Sequence, residues 1–501
     1  MTQDIQEKMQ LLRAAMRKSW ALIHACGILN YDGETVAPAK SVEGRAQTLG
    51  ALSDMHYSLI TDPALVRAIE ELEAVRGELS ESDARELTLI RRMVRQTAAV
   101  PKDEYVRHVM LVSEASDVWR RAKRTNDFAS FAPYLEKLID YSRRYAAWLE
   151  PERDSYDVLL DLYEEGMDQQ TLDGFFETLR GALEPLVRKV AAAPQPDDSF
   201  LHLLYPAAEQ RRFTDDLAAL EGLDRSRLSI GEVEHPFTEG FNNRDVRITT
   251  HYYENDPMSS AFSVLHEGGH ALYELGQADR FNYTVFSGGA SLGIHESQSR
   301  FYENIIGRSF AFTGPLLACM KKHFPAQLDG VSHEQFWRAV NRSQPSFIRT
   351  EADELTYCFH VMIRYELEKQ LIHGSLAVRD LPSAWGDMYE RYLGVRPATD
   401  TEGCLQDSHW AGGSFGYFPT YALGSAYGAQ MLRVMEREIP GLWDAVAAGD
   451  LSPVTAYLGE HIHRWGAYYT PKALFERSFG KFEPQYFIDY LTDKYTRLYR
   501  L

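Results

Sequence analysis

Apolar residues recur every three or four positions through most of the first 195 residues, with polar residues between them. This period is that of a helix with one buried face, so the pattern predicts a series of amphipathic α-helices. The links between them are short, which favours antiparallel packing of neighbouring helices. The predicted helices cover residues 4–25, 39–59, 62–76, 80–99, 102–121 and 131–149.

From about residue 200 to residue 255 the pattern changes from the helical period to alternation. Segments 227–230 and 245–250 alternate and contain β-branched residues, which predicts short strands. Gly231 and Gly240 are predicted to lie in turns between them. The helical period resumes after residue 256 and continues to the C-terminus. We therefore predict a mainly α fold with one short antiparallel β-sheet set among the helices.

Composition and charge exclude several kinds of partner. The 501 residues carry a formal net charge of −19, whereas a nucleic-acid-binding protein needs a basic face. The chain contains no apolar run of about 18 residues, and its polar N-terminus lacks the pattern of a secretory signal. We expect a cytoplasmic protein that binds neither nucleic acid nor a membrane. Its four cysteines, which form no CxxC pair, are Cys26, Cys319, Cys358 and Cys404.

The strongest candidate for chemistry is the HExxH sequence at residues 266–270. On a helix, residues four apart share a face, so His266 and His270 can bind one metal ion. Glu267 lies about 100° around the helix from the first histidine, where it can accept a proton from water activated by that ion. The motif therefore predicts a metal site with a general base beside it.

The residues around this motif support a helical context. Asp256 can be the N-cap, Pro257 fits the first helical position, and Gly276 can end the helix, which gives a helix of about 19 residues. Gly268 and Gly269 each cost about 1 kcal/mol relative to alanine inside a helix. We infer that they leave space for a crossing backbone or a bound substrate.

A catalytic zinc site needs a third protein ligand and one open position. The candidates downstream are Glu274, His295 and Glu296. Glu274 lies on the same helix as the motif, two turns from the first histidine, whereas Glu296 belongs to a second predicted helix that ends near Gly307. A glutamate from a second helix suits the site, so Glu296 is our choice. His295 is the alternative, and it could instead hydrogen-bond a ligand or simply be packed.

The sequence resembles the carboxypeptidase Taq family of HExxH zinc metallocarboxypeptidases. Segment 156–167 also resembles part of the family's N-terminal half. One position departs from the family pattern: Tyr31 precedes an aspartate where the family usually has tryptophan. The resemblance implies a mostly helical fold with a deep substrate groove, a homodimer, and removal of single C-terminal residues from peptides with broad specificity. Six blocks match in the family's order, namely residues 235–237, 245–249, 266–270, 295–298, 348–353 and 403–410.

The spread of these blocks bears on domain organisation. Residues from His235 to Tyr421 must meet at one metal, so we predict a single metallocarboxypeptidase unit over residues 1–501. Residues 1–200 are predicted to form a helical wall of the groove, and residues 201–501 the metal and catalytic half.

Roles for the matched residues follow from what peptide hydrolysis requires. The hypothesis is that His266, His270 and Glu296 hold one Zn²⁺ ion, with Co²⁺ or Mn²⁺ as substitutes, and that Glu267 is the general base. The oxyanion needs fixed donors. His409 and Tyr421, on either side of the glycine-containing stretch 411–416, are the candidates, and Tyr417 competes with Tyr421.

A carboxypeptidase must also bind a free α-carboxylate, for which the planar fork of arginine is best suited. Arg349 is our choice, and the alternative is a structural ion pair with Glu351, Asp353 or another acid. Arg247 could support the site or stabilise the sheet, and His235 could contact substrate or be packed in its turn.

Two rival functions remain open at this point. An endo-oligopeptidase could use the same zinc site, and a non-catalytic protein could bind the metal for structure. Cleavage of a peptide and of its C-terminally amidated twin at equal rates would contradict the carboxypeptidase hypothesis. Unchanged behaviour of Glu267→Gln would indicate the non-catalytic alternative.

Overall fold

The computed structural model describes residues 2–501, which form twenty α-helices and three β-strands. The N-terminal helices are α1 (Gln3–Thr35), α2 (Val42–Ile60), α3 (Pro63–Ala74), α4 (Glu81–Ala98), α5 (Lys102–Thr125), α6 (Phe128–Leu149), α7 (Ser155–Tyr163), α8 (Gln169–Ala192) and α9 (Ala207–Glu221). The strands are β1 (Leu228–Glu232), β2 (Thr238–Asn242) and β3 (Asp245–Thr250).

The remaining helices follow the sheet. They are α10 (Pro257–Leu275), α11 (Leu292–Arg300), α12 (Phe310–His323), α13 (His333–Val340), α14 (Glu354–His373), α15 (Leu381–Leu393), α16 (Pro419–Glu438), α17 (Leu442–Ala447), α18 (Ser452–His461), α19 (Pro471–Phe479) and α20 (Gln485–Tyr499). A π-helical turn, Phe301–Ile306, continues α11. The mainly α class is confirmed.

Each of the six helices expected before residue 150 is present, and the largest difference is the length of α1. This helix continues past Gly27 to Thr35. A Cβ atom at Gly27 would lie 2.8 Å from both Glu239 Oε1 and Phe241 Cε1. The glycine therefore serves the close approach of β2 to the helix.

The sheet is mixed, so the expectation of a wholly antiparallel sheet is corrected. The strand order is β1-β3-β2. β3 pairs with β2 antiparallel and with β1 parallel, with Leu228 opposite Val246. Gly231 and Gly240 lie within strands and not in turns as expected. At Gly240 a Cβ would lie 2.7 Å from the side chain of Glu274, so packing requires the glycine there.

Two large clusters of buried apolar side chains form most of the interior of the described chain, beside a third group of only Ala146, Leu149 and Val158. The larger extends from Ala115 to Tyr499 and joins α5–α9 to the sheet and the later helices. The smaller extends from Ile5 to Val94 and is built from α1, α3 and α4 with the end of α2. None of the helices in residues 2–501 is long and apolar enough to cross a membrane.

The two glycines of the HExxH sequence explain how closely α10 is packed. A Cβ at Gly269 would lie 2.5 Å from the backbone oxygen of Gln298, so the backbone of α11 crosses there. A Cβ at Gly268 would lie 2.1 Å from Glu221 Oε2, at the end of α9. The space beside Gly269 is thus occupied by a crossing backbone, and the space beside Gly268 by the buried side chain of Glu221.

We expect Gly269→Ala to lower the free energy of unfolding by about 1–3 kcal/mol. The added methyl group clashes with the backbone of α11, and the two packed helices must move apart to make room for it. The matched control is Gly50→Ala in α2, where a Cβ would meet nothing within 4 Å. That change is expected to stabilise by up to about 1 kcal/mol through helix propensity. Thermal unfolding of both variants measures the difference. A Gly269→Ala protein as stable as the control would contradict the crossing.

Candidate metal and catalytic site

Helix α10 carries the HExxH sequence and has the expected ends. The Asp256 side chain accepts a hydrogen bond from the backbone N–H of Ser259, and Pro257 is the first helical residue. The helix is 19 residues long and is capped by Gly276. The predicted helix is confirmed, and its regular geometry places His266 and His270 on one face.

Three donor atoms converge where α10 packs against α11. Glu296 Oε2 lies 3.8 Å from His266 Nε2 and 3.5 Å from His270 Nε2. All three ligand atoms lie within 4.8 Å of one another. Of the candidates for a third ligand, the structure thus brings Glu296 to both imidazoles.

Each of the two imidazoles is held through its other nitrogen. His266 Nδ1 lies 2.9 Å from Glu303 Oε2, and His270 Nδ1 lies 2.7 Å from His295 Nδ1. His295 in turn lies 2.8 Å, through Nε2, from Glu274 Oε1. Protonation of each Nδ1 leaves the Nε2 lone pair free to face Glu296, which is the arrangement typical of metal-binding histidines. His295 therefore contacts a candidate ligand rather than joining the three donors.

Arg300 fixes the charge of the site. Its Nε donates to Glu296 Oε1 at 2.8 Å, and its Nη1 donates to Glu303 Oε2 at 3.1 Å. Burial opposes ionisation of Glu296, but Arg300 and the histidines hold the pKa of that carboxyl well below its usual range. Burial lowers the pKa of His270 to about 3. Burial opposes protonation of His266, but the carboxylates of Glu296 and Glu303 raise the pKa of this imidazole above its ordinary value. A bound cation requires His266 to lose its proton, and one carboxylate with two neutral imidazoles is then a donor set that fits a divalent cation such as Zn²⁺.

Glu267 is buried beside these donors and is held by the sheet. Thr238 Oγ1, at the start of β2, donates to Glu267 Oε2 at 2.6 Å. Burial raises the pKa of the Glu267 carboxyl above its ordinary value. A carboxylate with a raised pKa is a stronger base. Thr238 was not identified from sequence, because β2 carried no clear alternating pattern.

The structure brings His409 and Tyr421 together, with His409 Nε2 at 3.0 Å from the Tyr421 hydroxyl. The Tyr417 ring lies 5.2 Å from the His409 ring and 5.3 Å from that of Tyr421. Helix α16 carries Tyr421 and contacts α11 closely, since a Cβ at Gly424 would lie 2.7 Å from Glu296 Cβ. Tyr421 is therefore on the helix that packs against Glu296, Tyr417 lies beside it, and geometry leaves the choice between them open.

Arg349 is buried and packs against the aromatic ring of Tyr421. Its Nε and Nη2 contact Asp407 Oδ1 at 3.0 and 2.9 Å, and its Nη1 donates to the Tyr357 hydroxyl. Its Cζ lies 4.7 Å from the ring centre of Tyr421. Arg364 also contacts Asp407, through Oδ2. Two guanidinium groups thus share one carboxylate, which leaves an excess positive charge in a buried place. The ion pair considered with Glu351 or Asp353 is formed with Asp407 instead.

Arg247 and His235 lie on the sheet side of the molecule. Arg247 contacts both carboxylate oxygens of Asp245 at 3.1 Å, and its Cζ lies 5.2 and 5.1 Å from the ring centres of Tyr31 and Phe241. His235 is exposed in the turn between β1 and β2. Arg247 thus connects β3 to α1, and the substrate contacts of both residues stay predictions.

A buried carboxyl at the end of α7 was also missed from sequence. Glu164 Oε2 accepts a hydrogen bond of 3.0 Å from the backbone N–H of Gly293, in the first turn of α11. Oε1 accepts one of 3.3 Å from Tyr427. Burial raises the pKa of Glu164 to about 7. Glu164 thus satisfies a backbone N–H in the first turn of α11, so the N-terminal half helps to hold the helix that carries Glu296.

Comparison with known proteins identifies the family of this chain. Residues 11–495 match the family model described as "Carboxypeptidase Taq (M32) metallopeptidase". Carboxypeptidase 1 of Bacillus subtilis is 39% identical over 479 residues, which cover 95% of this chain and 96% of that protein. Thermostable carboxypeptidase 1 of Pyrococcus furiosus is 38% identical over 498 residues, 98% of each chain.

Solved structures give the same result. The crystal structure of the M32 carboxypeptidase from Deinococcus radiodurans R1 superposes with a TM-score of 0.95 at 36% identity, and covers 99% of this chain and 100% of its own. The Trypanosoma cruzi metallocarboxypeptidase 1 superposes with a TM-score of 0.91 at 31% identity, over 98% of this chain and 99% of its own. The chain therefore belongs to the carboxypeptidase Taq (M32) family of metallocarboxypeptidases.

Proposed function

We propose that this metallocarboxypeptidase uses zinc to remove single C-terminal residues from peptides, with broad specificity for the residue removed. The observation that carries the proposal is the convergence of His266, His270 and Glu296 beside the buried carboxyl of Glu267. The proposed substrates are peptides with a free C-terminus.

The three convergent residues are the proposed metal ligands. A divalent cation bound there supplies a Lewis acid, which makes water more acidic and polarises a carbonyl. Two imidazoles and a carboxylate suit Zn²⁺, and Co²⁺ or Mn²⁺ are the expected substitutes.

Glu267 is the proposed general base. Its carboxylate accepts the proton of the attacking water and then delivers it to the leaving amine. The hydrogen bond from Thr238 orients Oε2, and the raised pKa makes the carboxylate a better acceptor at neutral pH.

His409 and Tyr421 are the proposed donors to the oxyanion. Burial lowers the pKa of His409 to about 3, so the ring is neutral. With hydrogen on Nε2, the neutral ring donates to the Tyr421 oxygen before substrate binds, which frees the phenol hydrogen for substrate. Direct donation from His409 to the oxyanion requires that this hydrogen bond open when substrate binds. Tyr421→Phe is expected to lower kcat by about 10²–10³-fold, the usual cost of losing one oxyanion donor. Tyr417→Phe is the matched variant, and a larger loss there would assign the role to Tyr417.

Arg349 is the proposed receptor for the substrate α-carboxylate. It shares Asp407 with Arg364, so a further anion balances the buried charge. Arg247 and His235 are proposed as additional substrate contacts on the sheet side of the groove.

An amidated peptide tests the exopeptidase function. We expect kcat/KM for a peptide with a free C-terminus to exceed that for its amidated twin by about 10- to 100-fold, since a charge-assisted hydrogen bond contributes about 1.5–3 kcal/mol. Arg349→Lys keeps the charge but loses the planar fork, and this variant should lose most of the discrimination. Equal cleavage of the two peptides would indicate an endo-oligopeptidase instead.

We further propose that residues 1–501 act as one unit, with residues 1–200 as a wall of a deep substrate groove. The apolar core that α5–α9 share with the later helices supports this. A homodimer is proposed from the family resemblance, and a cytoplasmic location from the four free cysteines, which suit a reducing compartment. Sedimentation of the purified protein as a 57.2 kDa species would contradict the dimer.

A further inference from the structure

A second group of metal-binding side chains lies between α9 and α12. Cys319 and His323 are four residues apart on α12 and so share a face. Asp216 on α9 faces them, with Oδ2 at 3.0 Å from His323 Nε2. The three ligand atoms lie within 4.8 Å of one another, the same bound that holds for His266, His270 and Glu296.

We propose that Asp216, Cys319 and His323 form a second metal site, which binds a thiophilic divalent transition metal such as Zn²⁺. It shares no residue with the catalytic cluster, and it goes beyond the proposed peptidase function.

The donor set supports this assignment. A thiolate, an imidazole and a carboxylate are three ligand types that Zn²⁺ accepts in tetrahedral sites, and the thiolate selects against hard ions such as Mg²⁺ and Ca²⁺. Two anionic ligands and one neutral ligand balance a divalent charge. The fourth position is left for water.

The three residues differ in how far they are buried. Cys319 is 6% exposed, the His323 side chain is 14% exposed, and the Asp216 side chain is 50% exposed. The soft ligand therefore lies innermost, and the water position faces solvent, where a metal enters. A hydrogen bond between Asp216 and His323 alone does not need a thiol at the same point.

The site has a structural role because of the helices it joins. A metal held there binds the C-terminal end of α12 to α9. Helix α9 ends at Glu221, whose side chain packs against Gly268 of α10. Occupancy therefore stiffens the support behind the catalytic helix without taking part in the reaction.

Cobalt titration of the metal-free full-length protein tests the proposal, because the thiolate-to-cobalt charge-transfer band reports only a cysteine ligand. The catalytic cluster contains no sulfur. We expect the final band to have the intensity of one thiolate-bound Co²⁺ per chain, and elemental analysis to give two bound metals per chain. Absence of the band in the wild-type protein would overturn the second site, whereas a single bound metal that shows the band would contradict the catalytic site instead.

Variants identify the thiol. Cys319→Ser is expected to lose the band, keep one metal and keep peptidase activity, whereas Cys26→Ser, at a half-buried cysteine on α1, keeps the band. Asp216→Asn changes an exposed side chain and so tests the site even where Cys319→Ser folds poorly. It should weaken cobalt binding, measured by the band, by about tenfold or more. An unchanged band in Cys319→Ser, or unchanged affinity in Asp216→Asn, would contradict the assignment.

Discussion

Glu267→Gln is expected to lower kcat by about 10²–10⁴-fold, the range in which a positioned general base contributes. Glutamine has nearly the same shape and still accepts the hydrogen bond from Thr238. It cannot take a proton from water, so the loss falls on the chemical step while substrate binding is kept. Steady-state hydrolysis of a short peptide, with metal content measured on the same sample, checks this result.

The matched control is Glu221→Gln, which changes a glutamate buried against the same helix. Burial raises the pKa of Glu221 well above its ordinary value, and glutamine keeps the shape of this side chain. The activity of this variant is expected to equal that of the wild type. Full activity of Glu267→Gln with metal bound would remove the general base from the mechanism.

Glu296→Ala is expected to abolish activity through loss of the metal. The substitution removes the anionic donor of the cluster and leaves Arg300 with Glu303 alone. His295→Ala is the milder comparison, because it removes a hydrogen-bond partner of His270 and leaves the three proposed ligands in place. It should weaken metal binding by about 10–100-fold. Glu296→Ala should weaken it further.

Competition with a chelator of known affinity measures both effects. Added zinc should restore the activity of His295→Ala at a higher concentration than the wild type needs, and should not restore that of Glu296→Ala. Equal metal affinity of the wild type and Glu296→Ala would show that a different residue completes the site.

Structural features that depend only on residues close together in sequence were predicted well. The length and both ends of α10 follow from Asp256, Pro257 and Gly276, because capping is local chemistry. The placement of His266 and His270 on one face follows from the helical period alone. The helical class and its single short sheet are confirmed for the same reason.

Features that depend on distant residues were missed or incomplete. β2 was not predicted, since Gly240 resembles a turn residue until the Glu274 side chain is seen in the place of its Cβ. The parallel pairing of β1 with β3 was also missed, because the sequence does not show that β3 lies between the other two strands. Asp407, the partner of Arg349, is 58 residues away in sequence, and no local pattern connects them.

The proposed second metal site could not be predicted from sequence for the same reason. Cys319 and His323 form no recognised motif, and Asp216 precedes His323 by 107 residues. The arrangement becomes visible only when α9 and α12 are packed together.

The contact of Glu164 with the first turn of α11 has a consequence for the order of folding. The two residues it joins are 129 positions apart in the chain, and contacts between such distant segments form late because closing a long loop is entropically costly. The helix that presents Glu296 therefore gains this hydrogen bond to its first turn only after the N-terminal helices have docked. During synthesis, competence to retain metal is expected to arise at the end of folding, when both halves of the chain have met.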